Sequence, residues 1–431
     1  MTTTGARRCP GMTITRRHLL AGAGAALGGA ALGVPESSSA SAAGTTLPNP
    51  ARSGIEHVVV VMMENRSFDH YLGWLPGARG RQAGLTYTDR YGVPHTTHHL
   101  TDFQGCAHPD PDHSFEGGRV EYNNGRCDGW LKAGDNDTFA IGYYTDADLA
   151  FYGHAARDWT VCDNYFSAIL AETYPNRFYQ HAAQTDRIHN STAIATMPTI
   201  WDRLAAAGVK GTYYYYDTPF TALWGSKYLD ISKPYPQFLA DAAAGTLPAV
   251  SFVDPKFLDE GTGSSADDHP HADIRAGQHF LDQVYNAVTT GPGWDKTVLV
   301  VNYDEWGGFF DHVAPTAAPD AHPAWGMRGF RVPCLVVSPL ARRAHVAKNL
   351  YDHTSVLKMI EWRWGLPALT PRDAAARNLA EVLDFASAPN THAPRYAVPP
   401  FVSAPCPPAG TADYEEWHAL KDLAKAHGWS L

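Results

Sequence analysis

Six successive apolar residues, Val58 to Met63, four of them valine, stop abruptly at Glu64-Asn65. A strand with one face in water alternates apolar and polar side chains, so a run without alternation is buried on both faces. Comparable runs at 55–63, 211–216, 249–253, 297–303 and 332–338 read as buried strands. Between them lie helical spacings. In 273–288, Ile274, Phe280, Leu281, Val284, Tyr285 and Val288 fall on one face. In 354–364, Val356, Leu357 and Ile360 precede Gly365, with Asp352 or Thr354 as the cap. Apolar strands alternating with amphipathic helices predict an α/β fold, a mostly parallel sheet with helices on both faces.

Open α/β sheets gather ligands at the carboxyl ends of their strands. Two of the predicted strands end there in acids, the first at Glu64-Asn65 and another at Asp304-Glu305, followed by WGGFFDH. Parallel strands bring both pairs to one edge. Carboxylates so gathered repel one another unless a cation joins them. Oxygen donors favour a hard divalent ion, Ca²⁺ first, with Mg²⁺ and Mn²⁺ as alternatives and Zn²⁺ also able to accept carboxylates.

A third stretch, AETYPNRFYQHAAQTD at 171–186, places Thr173 before a helix start that Pro175 favours. That hydroxyl has two available uses, as a helix N-cap or as a nucleophile. Of twenty-one histidines, three sit in dense polar contexts: His113, His269 and His312. Converging on the acidic edge, they would bind phosphate oxygens and protonate a leaving alkoxide.

Residues 15–20, TRRHLL, open a mild Ala/Gly/Leu run that ends in a small-residue ASA at 40–42. The pattern predicts a cleaved export signal over 1–42 of the twin-arginine type, hence the twin-arginine export machinery as a partner and a secreted protein. Its removal takes away four arginines and one glutamate, moving the net charge from −10 to −13. So acidic a chain excludes nucleic acid as the expected partner, since nucleic acid rewards basic surface. Five cysteines then remain; export would permit a bridge between Cys106 and Cys127, the disulfide pattern staying open, while Cys162 and Cys334 read as core. No CxxC pair exists, which argues against a thiolate zinc site. The catalytic domain is expected over 43–384, with a loop or cap insertion at about 76–135 and a packed tail from 385 to 431.

MMENRSFDHYLG, HAARDWTVCDNYFSAILAETYPNRFY, DDHPHADIRAGQHFLDQVYNAV and NYDEWGGFFDHVAP occur in that order. Together they resemble the bacterial phosphoesterase family of non-specific phospholipases C and certain acid phosphatases, in the alkaline phosphatase-like superfamily. The family's more common GPTxPNR and DEHGG stand here as LAETYPNR and DEWGG, and Thr316 replaces a frequent second proline. The resemblance implies an alkaline phosphatase-like α/β/α sandwich. It also implies Glu64, Asn65, Asp304 and Glu305 as metal ligands, with Thr173 as nucleophile and further ligand. His113 and His269, and less directly His312, would touch the phosphoryl group.

The function so implied is a secreted, metal-dependent phospholipase C, monomeric and touching membranes only peripherally. It would cut the glycerol-side phosphodiester of phosphatidylcholine or related lipids through a phosphothreonine. The alternative is a phosphomonoesterase, or a phosphodiesterase for small esters, on the same site. Trp74, Phe115, Tyr122 and Trp130 would supply a lipid-facing rim or head-group cage, and Arg177 and Lys132 positive charge near the substrate. A binding protein without turnover would show erosion at the five ligand and nucleophile positions, and all five carry competent residues.

Overall fold

Every one of the five apolar runs becomes a strand of a single eight-stranded sheet in the computed structural model, which describes residues 46–401, 405 and 414–431. The predicted export signal lies outside the described residues. In chain order the strands are β1 (His57–Met63), β2 (Thr160–Cys162), β3 (Gly211–Tyr215), β4 (Ser232–Pro234), β5 (Val250–Val253), β6 (Thr297–Tyr303), β7 (Cys334–Val337) and β8 (His345–Ala347). Across the sheet they run β8-β2-β7-β6-β1-β5-β3-β4. All pairings are parallel except the two made by β7. The three strands without a forewarning run, β2, β4 and β8, have three residues each, too few for a period to register.

The helices used below are α1 (Phe68–Leu72), α2 (Phe115–Tyr122), α3 (Thr173–Ala182), α4 (Tyr235–Ala244), α5 (Ile274–Thr290), α6 (His353–Trp364) and α7 (Tyr414–Ala426). All six residues of the apolar face predicted along α5 are buried. Asp352 caps α6 in a capping box with Ser355, and Gly365, at φ 66°, ends it. Neighbouring residues of a strand point to opposite faces, so Asn302 and Tyr303 report what covers each side of β6. Asn302 bonds Gln180 of α3, which packs on α6. The Tyr303 hydroxyl donates to Asp268, just before α5, which packs on α4. The layers are therefore helix, sheet, helix. This burial of both faces is why Val58–Met63 shows no alternation.

The segment 76–135, expected as a loop or cap insertion and termed the cap below, contains a hairpin of Thr86–Thr88 and Pro94–Thr96 and the helix α2. A small core of its own includes Trp130, Leu131, Trp306, Phe310 and Phe330. One expectation is corrected here, and one open pairing is decided. Trp130 is wholly buried, its ring 4.6 Å from Phe330 and its Nε1–H donated to the Cys127 carbonyl, so it presents nothing to a lipid or head group. Cys106 is disulfide-bonded, but Cys127 carries a free buried thiol, so the Cys106–Cys127 bridge is not formed. The cap needs no such bridge, because apolar packing already holds it.

Candidate active site

The strand register sets the site. Met63 of β1 is level with Tyr303 of β6, and the Asp304 N–H donates to the Met63 carbonyl at 3.0 Å. Glu64 and Asp304 thus leave the sheet side by side. Strand β5 pairs Val253 with Val61, so Asp254 emerges at the same edge. Asn65 then turns the chain at φ 61°, a left-handed conformation that asparagine tolerates better than most residues. Its N–H donates to Asp304 Oδ1 at 3.1 Å. Gly307, at φ 63°, closes against this turn: a Cβ there would lie 2.0 Å from the Asn65 carbonyl oxygen. The glycine of DEWGG is thereby required sterically, and its N–H also fixes Glu305 Oε2 at 2.6 Å.

Thr173 is the first residue of α3 but does not cap it. Glu172 occupies the N-cap position, and Asn190 Oδ1 accepts from the Tyr174 N–H at 2.7 Å. The Thr173 hydroxyl turns instead to Asn65 Oδ1, 3.4 Å away. His113 stands on the other side of Asn65, with Nε2 3.3 Å from its Nδ2 and 3.9 Å from Glu305 Oε1. Its Nδ1 is held by the Pro111 carbonyl at 2.7 Å. His269 lies 5.8 Å from His113, ring to ring, with Nδ1 2.6 Å from Glu260 and Nε2 3.5 Å from Asp110. Thr173, His113 and His269 line one small cavity, with Asn190, Phe257, Glu260, Glu416 and Trp417.

Two other expectations need correction. Arg177 does not face the substrate. It is buried behind the acids, with Nε 3.0 Å from Asp304 Oδ2 and its Nη atoms 3.4 Å from Asp254 and 3.5 Å from Glu64. Three acids in a dry interior draw the guanidinium into their midst. His312 belongs to a different cluster, its Nδ1 2.5 Å from Asp69 Oδ2, and it does not line the cavity at Thr173.

Burial raises the carboxyl groups here. Glu64 is pushed well above its ordinary value by burial and then by Asp267, with Arg177 opposing. Burial lifts Glu305 to about 8 against the pull of His113, and Asp304 is raised likewise against Arg177. Neither oxygen of Glu64 accepts a hydrogen bond, nor does Glu305 Oε1. Buried carboxylate oxygens left in that condition are costly unless a cation or proton meets them.

Among the described residues two tighter groups, each with ligand atoms within 4.8 Å of one another, are Asp110–His113–His269 and Asp69–Asp311–His312. The second already has a cation beside it, and in the first the carboxylates favour a charged His269. Arg331 lies 3.0 Å from Asp69 and 2.9 Å from Asp311. His269 stays protonated well above its usual range: burial opposes this, but Glu260 and Asp110 outweigh it. The orphaned oxygens of Glu64 and Glu305, with Asn65 Oδ1, Thr173 Oγ1 and Asp304 alongside, make the donor set that fits a divalent metal.

The metal-free clamp has a measurable signature. Glu305 titrates near 8 when folded against 4.5 as an ordinary group, so the folded state holds the extra proton between these values. That stability is complete below pH ~4.5 and lost as pH rises through ~8, and protons compete with metal over the same window. The rise in Tm on adding Ca²⁺, Zn²⁺, Mg²⁺ or Mn²⁺ to chelated protein should therefore be larger at pH 8.5 than at pH 5.5. Equal melting curves with and without every metal at both pH values would remove the clamp.

Sequence reasoning missed Asp254, Glu260, Asp267 and the pair Glu416–Trp417. Asp254 carried the same signal as Glu64 and Asp304, an acid directly after an apolar run. Glu260 and Glu416 carried none, since loop and tail residues reach the site only through packing.

A family model described as the Phosphoesterase family matches residues 55–367. Phospholipase C B of Mycobacterium tuberculosis is 32% identical over 425 residues, covering 79% of this chain and 80% of that one. Non-specific phospholipase C6 of Arabidopsis thaliana is 30% identical over 392 residues, covering 80% and 75%. Among solved structures, a Vibrio parahaemolyticus protein of the alkaline phosphatase superfamily gives a TM-score of 0.39 at 10% identity, covering 78% and 71%. With the motif order and about three-quarters of the chain matched, this protein belongs to the Phosphoesterase family and is a phosphoric ester hydrolase.

Proposed function

We propose that the chain is an exported, metal-dependent phospholipase C that hydrolyses the glycerol-side P–O bond of phosphatidylcholine and related zwitterionic lipids. The observation that carries this reading is the placement of Thr173: its hydroxyl is spared from capping α3 and opens on a cavity beside the orphaned carboxylates. The relatives named phospholipase C support the lipid substrate. The charge around the site supports a head group that is cationic. A second cavity of about 170 Å³ shares His113, Asn190 and Glu416 with the first, and Asp110, Asp112 and Glu172 also line it. Among the described residues no lysine or arginine lines it, which suits choline or ethanolamine and repels a phosphate dianion.

Glu64, Asn65, Thr173, Asp304 and Glu305 would hold the metal, with Ca²⁺ the first candidate for an oxygen-rich set. When bound, it lowers the cost of deprotonating Thr173 and offsets charge on the phosphoryl oxygens. Thr173 Oγ1 attacks phosphorus and the bond to the glycerol oxygen breaks. His269 gives that oxygen a proton, while His113 contacts a phosphoryl oxygen. Water then attacks the phosphothreonine in line, releasing the phosphorylated head group and restoring Thr173. Arg177 holds Asp304, Asp254 and Glu64 in place from behind.

The test is hydrolysis of phosphatidylcholine, phosphatidylethanolamine, phosphatidylinositol and p-nitrophenyl phosphate by purified protein, with chelator and with each metal restored. Diacylglycerol should appear fastest from the two zwitterionic lipids and cease on chelation. Turnover of the monoester with all three lipids untouched would overturn the reading in favour of a phosphatase.

A further inference from the structure

Glu260 belongs to no motif and sits in a short loop turn, yet it is 7% exposed and its carboxylate lies 2.6 Å from His269 Nδ1. A buried carboxylate this close to one imidazole nitrogen favours the doubly protonated form and, by charge attraction rather than an aligned hydrogen bond, draws that edge of the ring toward itself. The opposite nitrogen, Nε2, then carries a proton to give. We propose that Glu260 is a positioning residue that holds His269 as an oriented imidazolium, so that Nε2–H is the proton source for the departing glycerol oxygen. The proposal rests on the phospholipase reading above.

The surroundings of His269 agree. On its own loop the His269 N–H donates to Asp267 Oδ1 at 3.0 Å, and burial together with the charge of His269 holds the neighbouring His271 below its ordinary value, so that it adds no positive charge beside the ring. From the cap, Asp110 stands 3.5 Å from Nε2 and the His113 ring meets it edge-on. From the strand ends, Glu64 and Glu305 both interact with its charge, and Arg66 binds only its backbone carbonyl, at 3.1 Å. Carboxylates outnumber cations around the ring, and Glu260 is the nearest of them. Thr173 enters as the alkoxide, its hydroxyl proton released to solvent: in the first displacement its Oγ–P bond forms and the P–O bond to glycerol breaks with its electron pair on oxygen, which takes the Nε2 proton. The neutral imidazole left behind accepts a proton from the water that attacks the phosphothreonine, which recharges His269.

The distinguishing measurement compares two leaving groups in the full-length protein. A glycerol alkoxide needs a proton to leave, whereas the nitrophenolate of p-nitrophenyl phosphorylcholine does not. Glu260→Gln should lower kcat on phosphatidylcholine by roughly 100-fold or more, the usual worth of a positioned acid. It should leave the nitrophenyl ester nearly unaffected and move the alkaline limb of the lipid pH profile to lower pH. Glu260→Asp should restore part of the loss. Equal losses on both esters with an unmoved alkaline limb, or no loss on either, would overturn the proposal. Should Glu260→Gln not fold, the ¹⁵N shifts of His269 in wild-type protein decide: a neutral ring at pH 7 overturns it, and an imidazolium sustains it. A wild type that cleaves neither ester would instead fail the phospholipase reading itself.

Discussion

Thr173→Ala should abolish turnover, with kcat down by roughly 10³- to 10⁶-fold, the range seen when a member of a nucleophilic set is removed. The variant should nevertheless melt close to wild type. Glu172 holds the N-cap position of α3 and Asn190 binds the first turn, so the hydroxyl contributes only its long 3.4 Å contact with Asn65. Had Thr173 been the cap, the same substitution would cost about 1 kcal/mol of stability. The pairing of lost activity with retained stability therefore separates the two roles that the sequence left open. Thr173→Ser keeps an attacking oxygen and should retain measurable activity. Steady-state assays on phosphatidylcholine beside thermal melts check the pair. More than about a hundredth of wild-type activity in the alanine variant would exclude a phosphothreonine, given the losses expected for a nucleophile.

The opposite pattern is expected at Arg177. Its guanidinium, 1% exposed, meets Asp304, Asp254 and Glu64 and donates to the carbonyls of Met62 and Met63 at 3.3 and 3.4 Å. Arg177→Met fills much of the same volume but leaves three buried acids without their cation. Removing one partner of a buried ion pair costs about 3–5 kcal/mol. Part of that loss should return on adding metal, if Asp304 and Glu64 hold it as proposed. Part should also return on lowering the pH, because Asp254 titrates at about 6 through burial even with Arg177 opposing. Its raised value means that protonation, and the stability it brings, fades as pH climbs through 6. Urea titrations at pH 5 and pH 8, with and without metal, read all three effects. A loss below about 1 kcal/mol at pH 8 without metal would mean that the carboxylates are not held by Arg177.

Residue type and period made much of this legible from the chain alone. Continuous valine runs specify strands buried on both faces, and the sheet that results is mostly parallel because β1, β5 and β6 need helices on either side. An acid directly after such a run marks a strand's carboxyl end, which placed Glu64 and Asp304 on one edge. The GG of DEWGG marks a turn that only glycine can make against Asn65. These are local patterns, each decided within a few residues.

What the chain alone could not decide was which distant loops meet that edge. By their local sequence alone His113, His269 and His312 are alike, each with acids nearby, and only the family resemblance ranks His312 last. Packing takes the first two to the Thr173 cavity and gives the third to Asp69 beside Arg331. Trp130 looked like a surface aromatic, but the cap buries it as the centre of its own core. Arg177 reads in sequence as a substrate ligand, and packing makes it the counter-ion behind Asp304, Asp254 and Glu64. Glu260 and Glu416 had no distinguishing neighbours in sequence, yet they line the site. The sequence alone determined the sheet and the acids at its edge, because hydrophobic period and strand ends are short-range properties. The tertiary structure decided which charges face one another across the cavity, because buried carboxylates, imidazoles and guanidinium groups acquire their roles from partners a hundred or more residues away.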